Sequence, residues 1–166
     1  NVDGKPTTQK TEARLLRAPE NLYFAFTCYD PLTRGLPTKR GDTDNIEIFL
    51  DPEHDHDSFY QLLIDTEGRL DDWYHEGGGE PADGTWESKA EVATKRYDDR
   101  WVLEIRLPRA SIKDGLVQPV GRPWGANFCR TMASPAEDRD RFSCWSPLLR
   151  GKFAQPDLFA HIFFVK

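Results

Sequence analysis

Cysteine is scarce in this sequence, with only Cys28, Cys129 and Cys144. No two stand in a CxxC spacing, which leaves zinc-ribbon and thioredoxin chemistry without ligands or thiols. One disulfide with a leftover thiol, or three free thiols, are both open. Cationic side chains are in the minority: 22 Lys and Arg face 28 Asp and Glu, a formal net charge of −6. Nucleic-acid affinity is built on clustered Lys and Arg, so no nucleic-acid partner is expected. Long apolar runs are missing. Leu158–Ala160 and Ile162–Val165 fall far short of the ~18 residues needed to cross a bilayer, so no membrane insertion is expected. A starting methionine and a basic-then-apolar leader are lacking too, as expected of a processed chain or a piece of a longer one. Nowhere do four turns of helical apolar periodicity occur.

What is present is aromatic residues and alternation. Ten Phe, five Tyr and five Trp in 166 residues are too many large rings for a disordered chain, and the length fits one domain over residues 1–166. Period-2 patterns predict strands at Ala13–Arg17, Leu22–Tyr29, Asn45–Leu50, Phe59–Asp65, Leu70–His75, Ser88–Tyr97, Trp101–Leu107, Gly125–Thr131 and Leu158–Val165. Leu22, Phe24, Phe26 and Cys28 share one face of their strand, as do Trp101, Leu103, Ile105 and Leu107 of theirs. Ile46, Ile48 and Leu50 point inward, with Asn45, Glu47 and Phe49 opposite. Only Arg109–Lys113 suggests a helical turn. Short strands broken by Gly, Pro and Asp make this an all-β chain with little helix, folded as an antiparallel β-sandwich. Two polar loops, Pro31–Thr43 and Gly77–Thr85, suit a binding rim.

The densest polar cluster is Asp51–Asp57, where carboxylates alternate with His54 and His56. Carboxylates suit hard cations and imidazoles suit transition metals, but the cluster lacks the glycine and distal glutamate of an EF-hand, and a solvated acidic loop is the plainer reading. Glycoside hydrolysis needs two carboxyl groups set across a cleft, which sequence spacing among 28 acids cannot place. No nucleophile elbow or paired-histidine zinc motif is present. The rings at strand ends and in loops, Trp73, Tyr74, Trp86, Trp124, Trp145 and Phe153, point elsewhere. An aromatic face stacked on the C–H face of a sugar, ringed by carboxylate and amide groups, is how a shallow sandwich surface binds glycan.

The order of segments resembles carbohydrate-binding module family 9 and its DOMON-like superfamily. Leu22-Tyr23-Phe24-Ala25-Phe26-Thr27-Cys28-Tyr29-Asp30 is similar to the family's LYvafxvxD strand, and Asp44-Asn45-Ile46-Glu47-Ile48-Phe49-Leu50-Asp51 to DxvEifxD. Tyr60–Asp65 with Gly68, and Trp101–Pro108, follow in the family order. Gly125–Arg130 matches GxNxxR, and Trp145-Ser146-Pro147 with Phe153–Ala160 matches the closing fxxPxxFG. The opening iDGxxxExxW is echoed only by Val2-Asp3-Gly4, so the N-terminal strand is expected to be shortened. The resemblance implies a jelly-roll-like sandwich and a sugar site. One aromatic clamp falls at Phe153; the other falls near Gly41, where no ring stands, leaving Trp73 or Trp145 to replace it. Glu47 and Asn127 would bond hydroxyls, while Leu63 occupies a position where the family has Arg. Structural calcium is implied at Asp30, Asp44 and Asp51.

These readings converge on a non-catalytic carbohydrate-binding module, secreted or periplasmic. It would carry a glycan-active parent protein, with its other domains, to an oligosaccharide or polysaccharide. Three rivals stay open: a ligand-less structural or protein-contact sandwich, a non-covalent haem domain using Met132 and His161, and a metal-dependent hydrolase at residues 51–57.

Overall fold

The computed structural model describes residues 2–30, 38–77, 82–113, 121–133, 140–148 and 152–165. Of the two loops singled out above, residues 31–37 and 78–81 lie outside the described residues. Ten strands are formed among those described: β1 Thr11–Arg17, β2 Asn21–Tyr29, β3 Asn45–Asp51, β4 Phe59–Asp65, β5 Leu70–His75, β6 Glu91–Arg96, β7 Arg100–Pro108, β8 Trp124–Thr131, β9 Phe142–Cys144 and β10 Ala160–Ile162. They build two antiparallel sheets. The first has the order β1-β2-β7-β6. The second runs β10-β8-β3-β4-β5, with β9 also paired to β8.

Alternation explains the first sheet completely. Leu22, Phe24, Phe26 and Cys28 of β2 and Trp101, Leu103, Ile105 and Leu107 of β7 are all buried, and they meet Ile46, Ile48, Leu50, Leu62, Ile64 and Ala126 of the second sheet in one core. The outer face of the first sheet mixes apolar side chains such as Leu16 with charged ones, as in the cross-strand Arg106–Glu91 ion pair. Trp124 is 2% exposed and belongs to the core, so it supplies no platform. Trp86 and Tyr74 pack against Tyr60, with ring centroids 4.8 and 4.9 Å away. Both are partly buried against the core.

Turn chemistry sets the hairpins. Ala18 N–H bonds Asn21 O at 2.8 Å between β1 and β2, and Tyr97 N–H bonds Arg100 O at 2.8 Å between β6 and β7. Between β4 and β5, Asp65 Oδ1 accepts the Glu67 and Arg69 N–H groups at 2.9 and 3.0 Å, with Gly68 at φ 76°, where a side chain would be strained. Three elements depart most from the alternation. The sixth strand starts at Glu91 rather than Ser88, because Ser88 N–H is spent on Asp72 Oδ2 at 2.8 Å and Lys89 has φ 55°. The last strand shrinks to Ala160–Ile162, since Pro156–Leu158 closes a 3-10 turn through Phe159 N–H to Pro156 O. The three-residue β9 was not predicted; it is too short to show a period.

One polar element joins the sheets. Arg130 of β8 is 1% exposed and donates to Asp44 Oδ2 at 3.1 Å, Tyr29 O at 3.1 Å and Thr11 Oγ1 at 3.3 Å, with Asp30 Oδ2 at 3.9 Å. Removing one partner of a buried pair strands the other charge. Arg130→Ala is therefore expected to destabilise the fold by about 3–5 kcal/mol. The exposed Arg106–Glu91 pair is screened by water, so Arg106→Ala should cost far less. Urea unfolding of both variants checks the contrast, and equal losses would contradict it.

Candidate functional site

The second sheet has two sets of side chains, and only one faces the first sheet. Register fixes the division. Ile46, Ile48, Leu62, Ile64 and Ala126 point into the sandwich, so Glu47, Phe49, Phe59, Gln61, Leu63, Trp73 and Cys129 share the outer face. Part of that face is apolar: Phe49, Phe59, Cys129 and Phe159 form a second buried cluster on which Phe153, Ala154 and Cys144 pack. Phe153 also meets Phe142 edge to face, with centroids 5.7 Å apart.

Beside the rings runs a polar relay. Gln61 Nε2 donates to Glu47 Oε2 at 2.8 Å, and His75 Nε2 lies 2.8 Å from Gln61 Oε1. With the amide nitrogen committed to Glu47, the amide oxygen accepts, which assigns the ring proton to His75 Nε2. The His75 ring stacks on Phe59 at 4.3 Å and 12°. Burial pushes the Glu47 carboxyl up to about 7, and the bond from Gln61 offsets only part of that rise. Glu47 stands opposite Cys129 on β8 and Leu63 on β4, and Leu63 stands opposite Asp71 on β5. Asp71 is ion-paired with Arg40 from the loop before β3. A guanidinium thus closes the end of the row where Leu63 has none.

Of the residues predicted from sequence, Glu47, Trp73 and Phe153 share this face. Trp73 stands opposite Gln61, half-buried, with Gly84 against its ring. Asn127 is fully buried: its Nδ2 donates to Ser146 O at 3.1 Å and its Oδ1 accepts Ser146 N–H at 2.9 Å. This amide positions the Ser146 turn and offers nothing to a ligand, which corrects its expected role. Trp145 stacks on Phe128 at 5.4 Å, and Phe128 meets Phe24 and Phe26 inside the sandwich. Trp145 accordingly lines a cavity of about 500 Å³ at the open side of the sandwich, with Leu15, Phe26 and Ile162, rather than partnering Phe153. Gln61, His75 and Arg40 were not anticipated. The signal for the first two was present, since Gln61 shares its strand parity with Phe59 and Leu63, and His75 shares its own with Trp73.

The calcium expectation does not fit the residues present. Asp30 and Asp44 face the Arg130 guanidinium, which fills the place of a cation, while Asp51 lies at the far end of β3. Asp51 accepts the Asp55 and His56 N–H groups at 3.3 and 3.1 Å and packs on Gly125, where a Cβ would come within 3.1 Å of its own. His54 sits edge to face with His56 and His161, with centroids 4.7 and 4.6 Å apart. Its pKa is lowered by burial and by both neighbours. Among the described residues no three His, Cys, Asp or Glu side chains are placed to hold a metal ion. The hydrolase reading of residues 51–57 therefore lacks its centre there. Haem ligation by Met132 and His161 fails on distance. His161 pairs with Gly125 and Met132 follows the other end of β8, about seven residues or ~20 Å of extended chain away, whereas axial ligands share one iron.

The Glu47 titration has a stability consequence. An unfolded glutamate titrates near 4.5, this one at about 7. In that window the folded chain keeps a proton that the unfolded chain releases, so stability falls as pH rises, with the full loss above 7. Glu47→Gln removes the titrating group. Calorimetry should find the variant melting several degrees above the parent at pH 8, with the two converging below pH 4.5; a parent more stable at pH 8 would contradict the burial.

The comparisons agree with this architecture. A search of curated proteins finds no significant match. A family 9 carbohydrate-binding module from Caldicellulosiruptor kristjanssonii, solved in complex with glucose, superposes with a TM-score of 0.71 at 19% identity, covering 98% of this chain and 80% of that one. The same kind of module from that organism with cellotriose gives 0.71 and 19%, covering 98% and 78%. At that identity the likeness establishes the fold. The family profile described as carbohydrate family 9 binding domain-like matches residues 2–165, nearly end to end, and the chain belongs to that family of non-catalytic carbohydrate-binding modules.

Proposed function

We propose that the outer face of the second sheet is the sugar site, holding an oligosaccharide or the end of a polysaccharide while a larger glycan-active protein acts on it. The observation that carries the reading is the juxtaposition on one face of a half-buried ring, Phe153, and a carboxylate prepositioned by Gln61 and His75. A pyranose is itself two-sided. Its C–H face loses water against a ring, and its equatorial hydroxyls donate to a carboxylate. Trp73 and the Arg40–Asp71 pair stand at the β5 side of the row, where a second sugar unit would lie. Glucose and cellotriose in the structural neighbours make these the first ligands to try. An insoluble or polymeric substrate is met outside the cytoplasm, which supports a secreted or periplasmic location and a role in carbohydrate breakdown.

Isothermal titration tests the site. Phe153→Ala and Glu47→Gln should each weaken glucose or cellotriose binding by about tenfold or more, with the Glu47 variant no less stable than the parent. If the ionised carboxylate accepts the hydroxyls, affinity should rise between pH 5.5 and pH 8 as Glu47 loses its proton. With Asp30 and Asp44 turned to Arg130, calcium and chelator should give the same isotherm. Unchanged binding in both variants would move the site elsewhere.

A further inference from the structure

We propose that Cys129 and Cys144 are a dithiol that closes to a cross-strand disulfide, fastening β9 to β8. All three cysteines are free thiols in this structure, but these two are direct partners in the β8–β9 ladder. The ladder's hydrogen bonds show which kind of pair they form. Trp145 N–H bonds Phe128 O at 2.9 Å and Met132 N–H bonds Arg141 O at 2.8 Å, so the hydrogen-bonded pairs are 128–145, 130–143 and 132–141. Cys129–Cys144 is therefore a non-hydrogen-bonded pair, in which Cα atoms approach to about 4.5 Å and side chains stand closest. That spacing lies inside the roughly 4.4–6.8 Å range a disulfide spans without backbone movement. Both side chains pack on the same outer-face cluster, so the sulfur atoms lie on one face of the ladder rather than on opposite faces.

The two sulfurs differ in a way that orders the reaction. Cys129 is buried and its thiol is pushed well up by desolvation, whereas Cys144 is partly exposed and lowered by the hydrogen bond from Cys129. Cys144 is the accessible attacking group. Its thiolate would attack one sulfur of a small disulfide oxidant of the glutathione class, releasing one thiol and leaving a mixed disulfide. The Cys129 sulfur, losing its proton, then attacks Cys144 Sγ and expels the second thiol. Two protein thiols give up two protons and two electrons, and the oxidant becomes two thiols. Cys28 takes no part. It lies on β2 in the first sheet, fully buried, with its thiol raised to about 12 by burial.

The bond would close the chain between 129 and 144 and secure a strand otherwise only three residues long. That strand leads into the Ser146 turn held by Asn127.

The test uses the intact protein incubated with oxidised or reduced glutathione, then unfolded, alkylated and mapped by peptide mass. After oxidation the expected result is a reductant-sensitive 129–144 cross-linked peptide with alkylation at Cys28 alone. After reduction all three cysteines should be alkylated. The oxidised form should also melt higher than the reduced form. Cys28→Ser should keep the cross-link, and Cys129→Ser should leave glutathione on Cys144. Three alkylated cysteines after oxidation would overturn the proposal, as would a wild-type protein that stops with glutathione on Cys144 and a free Cys129.

Discussion

Burial of β3 on both of its faces is the constraint around which the rest is arranged. Ile46, Ile48 and Leu50 fill the space between the sheets, while Phe49 is fully buried on the other side against Phe59 and Phe159. A strand with one wet face would leave Glu47 in water and unremarkable. Covered as it is, the sheet puts Glu47 at the margin of an apolar layer, and the desolvation that raises its pKa follows directly. The fold loses stability by holding a carboxylate there at neutral pH. That is the pattern expected of a group kept for binding rather than for folding.

The same covering layer explains how distant segments reach one surface. Phe153 and Phe159 come from the C-terminal region, yet they lie on β3 and β4 because the Ser146 turn is held to β8 by Asn127 and to Leu158 by Ser146 Oγ, which donates to Leu158 O at 2.6 Å. Arg40 enters from the loop before β3 and pairs with Asp71 on β5. The buried Arg130, bridging to Asp44 and Tyr29, ties that loop's end to the first sheet. Polar interactions here direct chain segments, and apolar burial supplies the stability they work within.

Much of this could be read from sequence, for physical reasons that differ by residue. Period-2 alternation placed β2, β3, β4 and β7 almost to the residue, since each strand has one continuous apolar face. The position of Glu47 on the opposite face of β3 followed from the same alternation. Parity places Gln61 and His75 on that face, but their link to Glu47 depends on the register between strands, which no single strand encodes. The contacts of Asn127 and Trp145 are hidden from the sequence for a related reason. Asn127 has the right parity, but both ends of its amide are used by a turn 19 residues away, and Trp145, half exposed, stacks on Phe128 at the side cavity rather than on the outer face of the second sheet. Of the acids expected to hold calcium, Asp30 and Asp44 instead face Arg130, a countercharge brought 86 residues along the chain to Asp44.

The central claim is that one face of one sheet holds the sugar, and amide chemical shifts report on that face directly. A titration of the labelled protein with cellotriose, followed by two-dimensional NMR, should shift Glu47, Gln61, Leu63, Trp73 and Phe153. Outward-facing residues of the first sheet, such as Ala93 and Glu104, should stay still. Perturbations centred instead on Trp145, Leu15 and Ile162 would place the ligand in the side cavity and contradict the account.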